Sequence, residues 1–115
     1  MTLFKRKHLR KILRGEKTQT RRIHKHTWKL GKIYGIRTSW FRKSEGYIKI
    51  IRKFRQKLGD ISLEDIKKEG YSSLEEFRRA WEEINGLGSW DPDLIVTVYE
   101  FAYVEKKSRT APFSA

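Results

Sequence analysis

The run from Gly46 to Leu58 constrains what this chain can fold into more than any other part of it. Ile48, Ile50, Phe54 and Leu58 share one parity, interrupted by Arg52 and Gln56, while Tyr47, Lys49, Ile51, Lys53, Arg55 and Lys57 take the other. Successive side chains of a strand point to opposite faces, so the pattern predicts a long strand with an apolar inner row and a charged outer row, the wall of a small barrel. Leu94 to Val104, β-branched and aromatic throughout, predicts a second long strand. Gly31 to Arg37 predicts another, with a tight entry and a bulge or close backbone approach at its glycines. Leu3 and Phe4 predict a short first strand.

Helical spacing occurs in two regions. From about Arg6, Leu9, Ile12 and Leu13 fall at i, i+3 and i+4, and Lys5, Arg6, Lys7, Arg10, Lys11 and Arg14 fill the other faces. Gly15 can take the left-handed conformation that ends such a helix. A membrane-surface helix needs a longer, wider apolar face, so this stripe is assigned to the core. Beyond Gly59, Ser62 with Asp65 and Ser73 with Glu76 supply N-caps for two short helices. Leu74, Phe77, Trp81 and Ile84 recur at helical spacing and are assigned to the core as well. With 115 residues, 37% hydrophobic and 13% aromatic, the chain makes one domain over residues 1 to 105 that needs no staples, followed by a polar tail over 106 to 115.

Composition excludes several chemistries. Without cysteine there is no disulfide, thiolate metal site or thiol nucleophile. His24 and His26 lie two apart on one predicted strand, but no carboxylate or third histidine is near them in sequence and their surroundings are cationic, so no metal is expected. No signal peptide or membrane span is evident, which points to a cytoplasmic protein that does not engage a membrane. One Asn and two Gln against 27 basic and 14 acidic residues is a thermophile-like balance. Lys17-Thr18 follows a glycine, yet Glu16 stands where a phosphate loop needs glycine and Lys11 where its first glycine would be, so nucleotide hydrolysis is not supported. No nucleophile elbow is present, and no cofactor is expected.

Charge is segregated along the chain. Residues 1 to 58 hold 20 Lys and Arg against two acids, a local charge of +18, whereas residues 59 to 115 carry −5, within a net +13. A cationic half of this kind attracts a polyanion through counterion release, and RNA is the expected partner. Ser39 to Gly46 reads as a loop in which Trp40 and Phe41 adjoin Arg42 and Lys43; rings that stack on bases beside cations that track phosphate suit single-stranded RNA. The same loop could instead fold back and bury Trp40. Trp28 is assigned to the core.

The stretch Arg14-Gly15-Glu16-Lys17-Thr18-Gln19-Thr20-Arg21-Arg22 leaves the first helix as an extended polar segment. Thr18, Thr20 and Arg22 then share a face, with Lys17 near the turn: hydroxyls, an ammonium and a guanidinium within reach of one anionic or carbonyl-bearing ligand. The spacing Gly15-x-Lys17-x-x-Thr20-x-Arg22 resembles the signature of the ASCH domain, a small β-barrel family related to the PUA RNA-binding fold. Glu69-Gly70-Tyr71-x-Ser73-x-Glu75-Glu76-Phe77, followed by Trp81, resembles the acidic loop-helix segment of many ASCH proteins. The resemblance spans roughly residues 2 to 105, with both segments in order.

The resemblance implies an α+β fold, a small PUA-like β-barrel with flanking short helices. It also implies that Lys17, Thr20 and Glu69 match the catalytic trio of small members that hydrolyse N4-acetylated cytidine; other members are proposed to bind or cleave RNA. Two readings follow. In the first, Gly15, Lys17, Thr18, Thr20 and Arg22 form the centre of a basic RNA cleft to which Trp40, Arg42, Lys43, Lys49, Lys53 and Lys57 contribute. In the second, Lys17, Thr20 and Glu69 act on a modified nucleoside, Lys17 as base toward Thr20 or a water and Glu69 as the proton carrier to the leaving amine. The cationic half favours the first. Against the second, an ionised Glu69 beside Lys17 would hold the lysine protonated and leave an inert salt bridge.

Overall fold

The computed structural model describes residues 2–23, 28–38 and 45–104. Strand β1 (Thr2–Leu3) leads into helix α1 (Arg6–Leu13), and strands β2 (Gln19–Arg22), β3 (Ile33–Arg37) and β4 (Gly46–Lys57) follow. A 3-10 turn at Leu58–Asp60 then connects to helices α2 (Leu63–Lys68) and α3 (Leu74–Asn85) and to strand β5 (Ile95–Val104). The sheet order is β1-β3-β4-β5-β2; every neighbouring pair is antiparallel except β1 with β3. The sheet curls into a half-barrel with helices against it, the α+β architecture expected.

Strand β5 lies between β4 and β2, and its buried positions change face midway along it, from Val96 and Val98 to Tyr99 and Phe101. Tyr99 and Phe101 face a core with Phe4, Leu9, Ile12, Trp28, Ile36, Ile48 and Ile50. Val96 and Val98 face a second core with Ile66, Phe77, Ala80 and Trp81 from α2 and α3. All four β5 side chains are at most 2% exposed, and each such burial contributes about 1.5–3 kcal/mol. Helix α1 closes one face of the sheet and the α2–α3 pair the other.

Strand β4 departs from the expected alternation. Ile50 pairs with Phe101 and Arg52 with Glu100, so Ile51 is the extra residue of a bulge. The bulge lies here and not in β3, whose pairing with β4 runs from Ile33 to Ile36 without a shift. Before it, Ile48 and Ile50 enter the first core; after it, Phe54 packs against the second, on the opposite face. The outer row divides for the same reason. Lys49, opposite Ala102, lies on one face, while Lys53, opposite Tyr99, and Lys57, opposite Ile95, lie on the other. Periodicity alone had placed these three lysines on one face; an inserted residue inverts the parity of everything beyond it.

The apolar stripes of the helices are also narrower than their spacing suggests. In α1, Leu9 and Ile12 are buried but Leu13 is 37% exposed, and His8 is buried in its stead. In α3, Phe77, Ala80 and Trp81 are buried whereas Leu74 and Ile84 face outward. Both predicted caps form: Ser62 Oγ accepts from the Asp65 amide and Ser73 Oγ from the Glu76 amide. Glu76 reaches back to the amide and hydroxyl of Ser72, one residue before the cap, and these bonds hold its carboxyl below the usual range. The loop at Ser39 to Gly46, including Trp40, Phe41, Arg42 and Lys43, falls outside the described residues up to position 44, as do His24, His26 and the tail beyond 104.

Gly59 sits where its 3-10 turn crosses Pro92. A Cβ there would stand 2.6 Å from Pro92 Cβ and 3.0 Å from its Cα, and proline backbone cannot yield as a flexible side chain does. Gly59→Ala is expected to destabilise the fold by about 1–3 kcal/mol in urea melts, against less than about 0.5 kcal/mol for a surface substitution such as Lys67→Ala.

Candidate functional site

Strand β2 is a sheet edge: among the described residues it pairs with β5 alone. Gln19 lies opposite Glu100 and Arg21 opposite Val98, which turns both toward α2; Thr20 lies opposite Tyr99 and shares the other face with Arg22. The chain reaches this edge from α1 through Gly15, whose φ of 78° ends the helix, and the Thr18 amide then bonds the Lys68 carbonyl at 2.7 Å. That bond brings the start of β2 against the end of α2, where Glu69 is the C-cap. Gly70 follows at φ 98°, and a Cβ on it would press to 3.1 Å from the Lys11 side chain, so glycine is needed both for the turn and for the approach of α1.

Glu69 is 3% exposed and sits between two cations. Lys17 Nζ donates to Glu69 Oε1 at 2.9 Å and to the Glu69 carbonyl at 3.0 Å. Arg21 Nη1 donates to Glu69 Oε2 at 3.0 Å and to Gln19 Oε1 at 2.6 Å, while its Nη2 donates to Gln56 Oε1 at 2.9 Å and Asp65 Oδ2 at 3.3 Å. Gln19 in turn donates to Asp65 and Glu100. A polar network thus joins β2, β4, β5 and α2 beneath the cleft. Burial lowers the pKa of Lys17; Glu69 opposes that shift, and the positive charges of Arg22 and Lys11 add to it.

The cleft itself has a volume of about 330 Å³ and lies between α1, α3 and the β2 edge. Lys17, Thr20, Arg22 and Glu69 line its polar side; Phe4, Tyr71, Phe77 and Trp81 supply apolar walls. The Arg22 guanidinium lies over the Phe4 and Trp28 rings at 4.8 and 4.9 Å from their centroids. Thr20 is 6% exposed, and its side chain takes part in none of the hydrogen bonds described among these residues. At one wall His8 Nε2 and Tyr71 Oη are 2.6 Å apart. Burial, reinforced by Lys17, Lys7, Lys11 and Lys5, pushes His8 down to about 3, and burial with Glu69, Glu76 and Glu83 pushes Tyr71 up, so both are neutral near pH 7. Among the described residues no three His, Asp or Glu side chains gather to hold a metal ion.

Lys17, Thr20 and Arg22, close in sequence, and Glu69, which the family resemblance added, line one cleft although Glu69 comes from a separate element. Gly15 and Thr18 do not line it; they shape the turn and the junction with α2. Lys49, Lys53 and Lys57 are exposed on β4, with β5 interposed between them and β2. Lys57 pairs with Asp93 at 3.8 Å, and Lys53 Nζ lies 5.9 Å from the Tyr99 ring centroid. Trp40, Arg42 and Lys43 are outside the described residues. Sequence reasoning missed Arg21, His8 and Tyr71 as members of the site. The parity of β2 was the available signal for Arg21, because it places that side chain opposite Arg22 on the face that α2 covers.

Because the folded pKa of His8 lies below its ordinary value, protonation favours the unfolded chain. This contribution to stability is complete above pH 6.5 and is lost as pH falls toward about 3. Urea melts between pH 7 and 4 are expected to show a steeper loss of stability in the wild type than in His8→Gln, which cannot titrate but keeps a partner for Tyr71. Equal slopes would remove His8 as the source.

The sequence matches no family model and no curated protein. Solved structures share the fold, among them the following three. An ASCH domain from Lactobacillus crispatus JV V101 superposes with a TM-score of 0.72 at 18% identity, covering 87% of this chain and 72% of that one. Protein EF3133 from Enterococcus faecalis V583, of the DUF984 family, gives 0.67 at 18% identity over 88% and 68%. A mutant ASCH protein from Zymomonas mobilis gives 0.63 at 12% identity over 91% and 74%. The half-barrel, its helices and the cleft at the β2 edge therefore belong to a chain with the ASCH-domain fold.

Proposed function

We propose that the cleft is the active site of an amidohydrolase that removes an acyl group from the exocyclic nitrogen of a nucleoside such as N4-acetylcytidine. The observation that carries this reading is the enclosed meeting of Lys17 and Glu69 at 2.9 Å beside Thr20, in a cleft of about 330 Å³ with aromatic walls. That volume lies in the range of small-ligand pockets and suits a single base, which Tyr71, Phe77 and Trp81 would flank. Burial lowers the pKa of Lys17, which favours its action as a base.

In the proposed reaction the neutral Lys17 amine takes a proton from the Thr20 hydroxyl or from a water. The oxygen so activated attacks the acyl carbonyl, and the Arg22 guanidinium, on the same cleft wall, faces the charge that develops on the carbonyl oxygen. Glu69, in contact with Lys17, carries the proton on to the leaving nitrogen and the amine departs; where water attacked, the carboxylic acid is released with it, and where Thr20 attacked, a water activated in the same way then hydrolyses the threonine ester to release the acid and restore the hydroxyl. An RNA-binding role is favoured by a different observation, the +18 charge of residues 1 to 58, whose lysines on β4 are exposed away from the cleft. A free nucleoside needs no such surface.

Pure protein incubated with N4-acetylcytidine is expected to release cytidine, with Lys17→Ala and Glu69→Ala each slowing turnover by at least about 100-fold. A wild-type protein that leaves the nucleoside intact would refute the amidohydrolase reading. For the RNA reading, Lys53→Glu and Lys57→Glu are expected each to lower the salt dependence of RNA binding by about one unit of log–log slope, with nucleoside turnover unchanged. An unchanged slope would show that the β4 cations do not meet phosphate.

A further inference from the structure

Glu69 has two carboxylate oxygens, and only one of them is used by Lys17. The other is held by Arg21, whose side chain is 0% exposed and whose two terminal nitrogens are committed to Glu69, Gln19, Gln56 and Asp65. An arginine keeps its proton throughout the range in which proteins work, and its planar fork holds a direction that an ammonium does not. We propose that Arg21 is a positioning residue: it supplies the permanent counter-charge of Glu69 and fixes its orientation, so that Lys17 can be neutral while Glu69 stays ionised. The consequence for turnover rests on the amidohydrolase reading; the consequence for the charge of Lys17 does not.

The physical case turns on what a neutral Lys17 would leave behind. A buried carboxylate with a single cationic partner holds that partner charged, because losing it strands an anion at a cost of several kcal/mol. With Arg21 on Oε2, loss of the Lys17 proton leaves Glu69 compensated, and a neutral amine can still donate to Oε1. The other groups around Lys17 act in the same sense. Lys11 and His8 face it from α1 and Arg22 from β2, the two formal cations among these disfavouring a further positive charge; Tyr71, beyond Glu69, is a neutral phenol. Asp65, on α2, is engaged by Arg21 and Gln19 and is turned away from Lys17. The salt bridge that would make Lys17 inert is in this geometry a three-group arrangement whose charge balance does not depend on Lys17.

The test is the titration of Lys17, followed through the lysine Cε resonances of 13C-labelled protein and assigned by their change in Lys17→Arg. In the wild type Lys17 is expected to titrate below the exposed lysines. In Arg21→Met, Glu69 loses the fork on Oε2 and keeps its bond from Lys17 with the nearby charge of Arg22, so it leans more on the Lys17 charge and the midpoint is expected to rise by about one unit or more. Where N4-acetylcytidine is turned over, the acid limb of kcat/KM is expected to rise by the same amount. An Arg21→Met protein whose Lys17 titrates as in the wild type would overturn the proposal. If Arg21→Met does not fold, Arg21→Lys decides: it keeps one charge, so Lys17 is expected to titrate within a few tenths of a unit of wild type, and a midpoint raised to that of the exposed lysines would overturn the proposal equally. A wild type without turnover refutes the amidohydrolase reading alone, and the resonance titration still judges Arg21.

Discussion

A carboxylate removed from water must be compensated on the spot, and the architecture around the cleft is arranged to compensate one. Glu69 ends α2, while the cations that neutralise it, Lys17 and Arg21, stand just before and within β2. The strand and the helix are thereby held to each other by charge, reinforced by the Thr18 amide on the Lys68 carbonyl. Isolated burial of such an ion costs several kcal/mol, so neither element can shift without stranding a charge. Strand β2 has four residues and, among the described residues, one hydrogen-bonded neighbour, and Gln19, Thr20 and Arg21 are all buried in it. Its place at the sheet edge is set by polar interactions where most strands would rely on apolar ones.

Around this network the apolar packing is conventional in kind. The sheet is covered on one face by α1 and on the other by α2 and α3, and the two cores meet along β5, where valines look one way and aromatic rings the other. The cleft opens where the coverings part at the β2 edge. Beside it, α1 is tied to later elements: Lys7 to Glu83 at 3.4 Å, His8 to Tyr71 at 2.6 Å and Lys11 to the Gly70 carbonyl at 2.6 Å. Helix α1 is thus basic for two reasons, one solvated and one structural, and only part of its charge is available to a partner. The same holds in β4, where Lys57 meets Asp93 and Arg52 approaches Glu100.

Much of this was legible in the chain. Alternation marked β4, β-branched and aromatic content marked β5, a turn before a strand-like run marked β3, serine caps marked α2 and α3, and Gly15 marked the end of α1, because each signal is local and needs no distant partner. Of the residues that the spacing put together, Lys17, Thr20 and Arg22 line the cleft and Thr18 does not, since its amide is turned to the end of α2. Errors arose where a distant element decides the outcome. Leu13, Leu74 and Ile84 carry the period of a buried stripe but are exposed, Ile84 beside the cleft, because only the docked part of each stripe is covered. His8 is buried because Tyr71 offers it a partner, and sequence separation hides that pairing.

What the sequence determined by itself is the inventory: an α+β chain without thiols, two long strands, short capped helices, a cationic first half, and a lysine, threonine and arginine at signature spacing. Tertiary structure decided how the charges are used. The bulge at Ile51 inverts the parity of β4 and divides its lysines between two faces, an effect that a period of two cannot reveal because it depends on how β4 pairs with β5. Arg21 and Arg22 are adjacent cations in the sequence and both reach the cleft, yet one is spent on a buried carboxylate and the other lies over aromatic rings. Opposite faces of one strand meet different neighbours, and only the packing of α2 and of the first core assigns those neighbours.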